Sequence, residues 1–406
     1  MTANNFRERL AQYSPIIMAG GYLFEVELRG YLTAGEFVPK VALEHPEVLE
    51  QVTRDFLRSG SDIALAFTYN GHREKMRIIG QEHLLEPLNR EAMRIAKRIA
   101  EEQSKEQDRE IFVAGNISNS NIYDPDNPET HQQVRAMYRE MIGWAKEEGA
   151  DLVVAETMYY LGEAKIALEE IQRAGLPSIL NVAVFDTGTL RDGYSPGGAC
   201  RALAEAGADV VGTNCFQGPN TIRQVVEEIR SKIGDHPMSA MPATYRTTSE
   251  HTSLFNLPDP GNTAVLPTGR TFPDALEAQN SNRYETAEFG QFAHSMGAKV
   301  IGLCCGASVI HHRALAEALG GLHLLDDPGD RVDEEAEQAE HPQGRHAGDL
   351  QFDVDVVERN QAGPARVAGL GVDLPLRDDR QDDEREEEED EGEASDGGEE
   401  GGPSTR

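Results

Sequence analysis

Short apolar runs alternate along most of this chain with longer stretches of helical period. Runs at residues 15–20, 62–69, 111–117, 151–156, 178–184, 209–215, 238–244 and 299–304 have the composition of buried strands. Segments with apolar residues three and four apart occupy 46–59, 91–102, 131–148, 162–174, 197–206, 222–231, 284–296 and 311–319. Eight strand-then-helix units predict an α/β protein with a parallel sheet. Spread regularly over about 320 residues, they fit a closed (β/α)8 TIM barrel better than an open doubly wound sheet.

Four of the helical segments end in one phrase: Ser59-Gly60-Ser61-Asp62, Glu148-Gly149-Ala150-Asp151, Ala206-Gly207-Ala208-Asp209 and Met296-Gly297-Ala298-Lys299. Glycine suits the left-handed residue that ends a helix, and the small residue after it permits a tight turn into a buried strand. Two segments break the regularity. Residues 245–284, with Pro258, Pro260, Pro267 and Pro273, predict an extended loop over the strand ends. Beyond Leu324 the chain turns polar, so the organisation expected is a barrel over 1–324, an irregular extension over 325–370 and an acidic, disordered tail over 371–406.

Charge changes the picture of partners more than of fold. With 38 basic and 71 acidic side chains the net charge is −33, which argues against nucleic acid and anionic membranes as partners. The tail holds 16 acidic and 4 basic groups, and the rest of the chain still carries a surplus of 21 negative charges. Arginine outnumbers lysine 30 to 8, a balance expected either of a protein kept soluble in concentrated salt or of a GC-rich genome. No stretch of about 18 apolar residues exists to span a bilayer, and residues 1–12 lack the apolar core of a secretory signal, so a cytoplasmic location is expected.

Four cysteines are too few for a disulfide scaffold. Cys215 ends the sixth predicted strand, and the adjacent Cys304 and Cys305 end the eighth, where a barrel of this type builds its active site. Three thiolates on one rim can hold Zn²⁺ and leave the fourth tetrahedral position for substrate. Successive strand side chains face opposite ways, so both members of the pair reach one metal only if the strand ends there, with Gly306 supplying the turn. Cys200, after Pro196-Gly197-Gly198, reads as buried packing. His72, His311 and His312 read as exposed loop or helix-start residues.

The blocks Gly20-Gly21-Tyr22-Leu23-Phe24-Glu25, Leu28-Arg29-Gly30-Tyr31, Glu44-His45-Pro46-Glu47, Gly212-Thr213-Asn214-Cys215 and Gly302-Leu303-Cys304-Cys305-Gly306 resemble the homocysteine S-methyltransferases, most of all the betaine–homocysteine branch. The resemblance runs from about Ser14 to Leu319 and rests chiefly on the asparagine–cysteine and the cysteine pair. It implies a zinc-dependent barrel that methylates homocysteine to methionine, with Cys215, Cys304 and Cys305 on the metal. It further implies that Glu156 holds the amino group of homocysteine and that Gly20 and Gly21 approach the amino acid through their backbone, with Asn214 beside the substrate.

The chain also departs from the family. Ala19 stands where the family has an aspartate before the glycine pair, so a second contact to the substrate amine is missing. Asn70 and Phe37 stand where the betaine branch uses a tyrosine and a tryptophan around the donor, and Thr157 replaces the tyrosine after the glutamate. Trp144 lies in a helix before the fourth strand, remote from any donor box. Tyr69 and Asn70 are then expected on the donor side, with Phe37, Tyr22, Tyr159 and Tyr160 as further rings that can face a quaternary cation. Two other readings stand beside the free-donor enzyme: a homocysteine-activating subunit that takes its methyl from a separate corrinoid protein, and a zinc-binding barrel without catalysis. Residues 325–370 show no long apolar helix, so a homo-oligomer no larger than a dimer is expected.

Overall fold

The computed structural model describes residues 3–12, 14–32, 38–185, 188–259, 269, 271–272 and 275–320. The extension and acidic tail expected beyond 324 lie outside them.

The chain begins with α1 (Ala3–Leu10) and β1 (Ile16–Met18), then α2 (Tyr22–Leu28), α3 (Val41–Glu44) and α4 (Pro46–Arg58). Next come β2 (Ile63–Leu65), α5 (Arg73–Ile78), α6 (Leu85–Glu106), β3 (Phe112–Ser118), α7 (Pro128–Glu147), β4 (Leu152–Met158) and α8 (Leu161–Ala174). The remainder is β5 (Ser178–Val182), α9 (Pro196–Glu205), β6 (Val210–Asn214), α10 (Ile222–Ile233), β7 (Met238–Met241), α11 (Arg283–Ser295), β8 (Val300–Gly302) and α12 (Val309–Ala318). The eight strands are parallel, pair in sequence order, and close when β1 pairs with β8 at Ile16–Val300, Ile17–Ile301 and Met18–Gly302. Every strand residue is buried, because helices cover the outer face and side chains fill the barrel. Among the described residues no helix is long and apolar enough to cross a membrane.

The recurring junction works as expected and does one thing more. Gly60, Gly149, Gly207 and Gly297 all have positive φ, between 74° and 110°. The aspartate that follows in three of the copies reaches sideways. Asp62 accepts the N–H of Ile17 at 2.7 Å, Asp151 that of Val113 at 2.9 Å, and Asp209 that of Ser178 at 3.0 Å. Each therefore ties the start of its own strand to the start of the preceding one, at the barrel end away from the site.

Several boundaries move. The strands expected at 15–20, 62–69 and 299–304 are only three residues long, because their last residues leave the ladder to form the rim. The helix expected at 91–102 runs from Leu85 to Glu106. Four short helices, α1, α2, α3 and α5, were not predicted. α1 is polar overall, but Phe6 and Leu10, four residues apart, bury one face, and Phe6 meets Phe112 edge-on at 5.5 Å.

Candidate active site

The backbone itself bends the functional residues out of the sheet. The chain leaves β6 at Asn214 and turns left-handed at Cys215 (φ 62°) and Phe216 (φ 60°). Asn70 and Thr157 are left-handed as well, both at φ 59°. Side chains with a Cβ pay about 1–2 kcal/mol each for this conformation, and such strain gathers at sites the surrounding fold over-determines. After β8, Cys304 and Cys305 lie beyond the ladder, so strand alternation no longer separates them. The Cys304 N–H donates to Pro242 O at 2.7 Å, the Cys305 carbonyl accepts from Thr244 N at 2.9 Å, and Gly306 (φ 80°) completes the turn.

The three sulfurs of Cys215, Cys304 and Cys305 lie within 4.8 Å of one another, with Cys215–Cys305 at 3.2 Å and Cys304–Cys305 at 4.0 Å. A tetrahedral zinc with bonds near 2.3 Å sets its sulfurs about 3.8 Å apart, so the trio suits that ion in spacing and in ligand chemistry. Hydrogen bonds from Cys304 and Cys305 hold the Cys215 thiol below its usual range, and the same bonds push Cys304 and Cys305 up. A cation at the centre of the cluster would favour ionisation of all three. Among the described residues no second group of three such ligands exists.

The loop after β1 presses on this turn. A Cβ on Gly20 would overlap the Leu303 carbonyl oxygen, and one on Gly21 (φ 86°) would sit 2.8 Å from the Cys304 oxygen. Only glycine permits that backbone-to-backbone approach at both positions.

Glu156, near the end of β4, is buried beside the thiols. Asn116 donates to one carboxylate oxygen, and Asn214 Nδ2 to the other at 3.1 Å. Burial, then the nearby Cys304 sulfur, pushes the Glu156 carboxyl up to about 8, against the Asn116 bond, which favours the charged form. An incoming ammonium would restore the ionised carboxylate. Asn214 links the two halves of the site: its Oδ1 accepts the Thr157 N–H at 2.8 Å, and its Nδ2 lies 3.6 Å from Cys304 Sγ.

These groups line a cavity of about 230 Å³ at the carboxyl ends of the strands. Of the sequence candidates, Gly20, Gly21, Tyr69, Asn70, Glu156, Cys215, Cys304 and Cys305 line it, and Asn214 supports it from beneath. Phe37 lies outside the described residues. Tyr22 and Tyr159 line the cavity, whereas Tyr160 packs on Tyr123 at 5.2 Å instead. Cys200 is buried against β6, its thiol 3.5 Å from the Gly212 oxygen, as its sequence position suggested. Ala19 is fully buried, with its N–H on Ser61 Oγ at 3.0 Å, and leaves Glu156 as the sole carboxylate among the described lining residues.

The three histidines stand at helix starts, as the sequence reading had it, but correct its expectation of exposure: all are buried. His72 accepts the Lys75 N–H as an N-cap, His311 contacts Ser308 and the Ser281 oxygen, and His312 contacts the Gly20 oxygen at 3.2 Å. His311 and His312 find carbonyl partners 30 and 292 residues away in sequence, contacts that hydropathy does not encode.

Beyond Tyr159, sequence reasoning missed an aromatic wall. Tyr159, Phe185, Phe216, Phe255 and Phe272 form a chain of ring contacts with centroids 4.6–5.1 Å apart, apart from one contact of 5.7 Å between Tyr159 and Phe216. Phe255 and Phe272, with Leu254, come from the described parts of the long loop after β7 and line the cavity. It also missed Asn116 and Asn119, although polar residues ending an apolar strand in Gly115-Asn116-Ile117-Ser118-Asn119 were a usable signal, and Lys75, which carried none.

Comparison with known proteins gives the chain a family and its fold a likeness among solved structures. Residues 16–319 match the family model for homocysteine S-methyltransferases. The chain is 31% identical over 327 residues to betaine–homocysteine S-methyltransferase 1 of Xenopus tropicalis, covering 79% of this chain and 77% of the relative. It is 28% identical over 316 residues to an S-methylmethionine–homocysteine S-methyltransferase of Rattus norvegicus, covering 77% and 80%. The metallated homocysteine methyltransferase MmuM of Escherichia coli shares the fold, with a TM-score of 0.60 at 20% identity over 77% of this chain and 99% of that one.

Proposed function

This chain belongs to the homocysteine S-methyltransferase family, and from that premise we propose that it moves a methyl group from a small onium donor, betaine-like or S-methylmethionine, to the thiol of homocysteine. The observation that carries the reading is the trio of Cys215, Cys304 and Cys305 sulfurs beside one buried carboxylate, Glu156, in a single cavity. The three cysteines would hold zinc, which when bound lowers the pKa of an incoming thiol so that it stays ionised at neutral pH.

The chain's own residues do the positioning. Glu156, held by Asn116 and Asn214, takes the substrate ammonium, and the close approach of Gly20 and Gly21 leaves room for the amino acid backbone. The homocysteine sulfur forms a bond to the donor's methyl carbon while the carbon–nitrogen or carbon–sulfur bond to the onium breaks. The electron pair leaves with a neutral amine or sulfide, and the thiol proton has already gone to solvent. No general base is needed, which agrees with buried histidines that do not line the cavity. The aromatic wall keeps water out and faces the cationic donor, and holding donor and acceptor together supplies much of the rate.

Metal content tests the reading at its base. Purified protein should carry one zinc per chain, and Cys215→Ser should lose it. Zinc near zero, or unchanged by the substitution, contradicts the proposal.

A further inference from the structure

The cavity is charged at two places. Apart from the cysteines, the formal charges among its described lining residues are Glu156 on the floor and Lys75, the third residue of α5, on the loop side after β2. Lys75 makes no ion pair among the described residues. Its acidic neighbour Glu74 is already engaged, bound through both oxygens by Arg77 at 2.8 Å. Asn119 also lines the cavity, 1% exposed, with an Oδ1 that has no partner. A buried amide atom left unpaired costs on the order of 1–3 kcal/mol, which points to a polar ligand there.

Resting on the function proposed above, we propose that Lys75 is the specificity residue for the donor: it binds a carboxylate, so the donor is a zwitterion whose onium faces the aromatic wall. The carboxylate of homocysteine does not compete for this place. It sits on the same carbon as the amine and is therefore held near Glu156 on the floor. A donor carboxylate lies one or more carbons from its onium and reaches outward. The charge of the molecule supports the assignment, because a chain with a net −33 repels free anions and gains most from one unpaired cation at a site meant for a neutral zwitterion. The replacement of the branch's tyrosine by Asn70, which lines the cavity next to Tyr69, puts a smaller polar side chain on this same side.

The test pairs donors that share an onium and differ in the carboxylate: dimethylsulfoniopropionate with trimethylsulfonium, and glycine betaine with tetramethylammonium. Charge-assisted bonds of this kind are worth about ten-fold or more. Lys75→Met should raise the donor KM about ten-fold for the carboxylated member of a pair and not for the other, with the homocysteine KM within two-fold; Lys75→Arg should restore most of the difference. Equal effects on both members, or an effect on the homocysteine KM instead, overturn the assignment. If no donor yields methionine, the function reading fails, and Lys75 is still tested by calorimetry. At least one carboxylated probe should then bind the unaltered protein about ten-fold tighter than its partner, and this preference should vanish in Lys75→Met. A preference that is absent from the unaltered protein, or survives the substitution, overturns the assignment.

Discussion

At the scale of single residues, burial sets the charge state of the site's one carboxyl. Glu156 is buried with two amide donors and no fixed cation among the described residues, and burial raises its carboxyl to about 8; in the function proposed above, the substrate ammonium supplies the missing charge. His72 and His312 show the same physics without the chemistry: burial lowers both to about 4 from an ordinary 6.5. The unfolded chain therefore binds protons that the folded chain refuses. Stability from these rings is complete above about pH 6.5 and is lost as pH falls toward 4, by up to about 3 kcal/mol for each ring. The urea midpoint should drop between pH 7.5 and 5, and His72→Asn, which keeps an N-cap acceptor for the Lys75 N–H, should flatten that drop. An undiminished drop in the variant contradicts the account.

At the scale of elements, the geometry depends on where each strand stops. Gly306 ends the β8 turn at φ 80°, and a Cβ there would lie 2.5–2.8 Å from the Tyr245 ring and Thr244 Oγ1. Gly306→Ala should cost about 1–2 kcal/mol from its left-handed backbone alone, with the clash in addition, and should weaken zinc retention by shifting Cys305. A urea midpoint and zinc content equal to those of the unaltered protein would show that the turn does not set the thiol geometry. The eight strands, the junction glycines and the three thiols were legible in sequence because each depends on local pattern: apolar runs, small residues after helices, and cysteines at predicted strand ends. Tyr160 was misplaced because one residue of register decides whether a rim side chain faces the cavity or its outer wall. The reach of Asp62, Asp151 and Asp209 across to the preceding strands, and the wall of Phe255 and Phe272, depend on contacts far apart in sequence, which periodicity does not encode.

At the scale of the molecule, the acidic surplus sits beside a dense set of arginine pairs. Glu170, 2% exposed by its side chain, is bound by Arg135, Arg139 and Arg173, and Arg90 is bound by Glu86, Glu147 and Glu148. The arginine excess over lysine thus finds partners in guanidinium–carboxylate geometry on the barrel's outer helices. Lys75, on the cavity side, is not part of that armour, and the chemistry is confined to one rim with small substrates. The most direct test of the account is methionine formation: zinc-loaded protein incubated with homocysteine and, in turn, glycine betaine, dimethylsulfoniopropionate and S-methylmethionine. The account predicts methionine from at least one of these donors and none with Cys215→Ser. No methionine from any of them, or equal amounts with the variant, would contradict it.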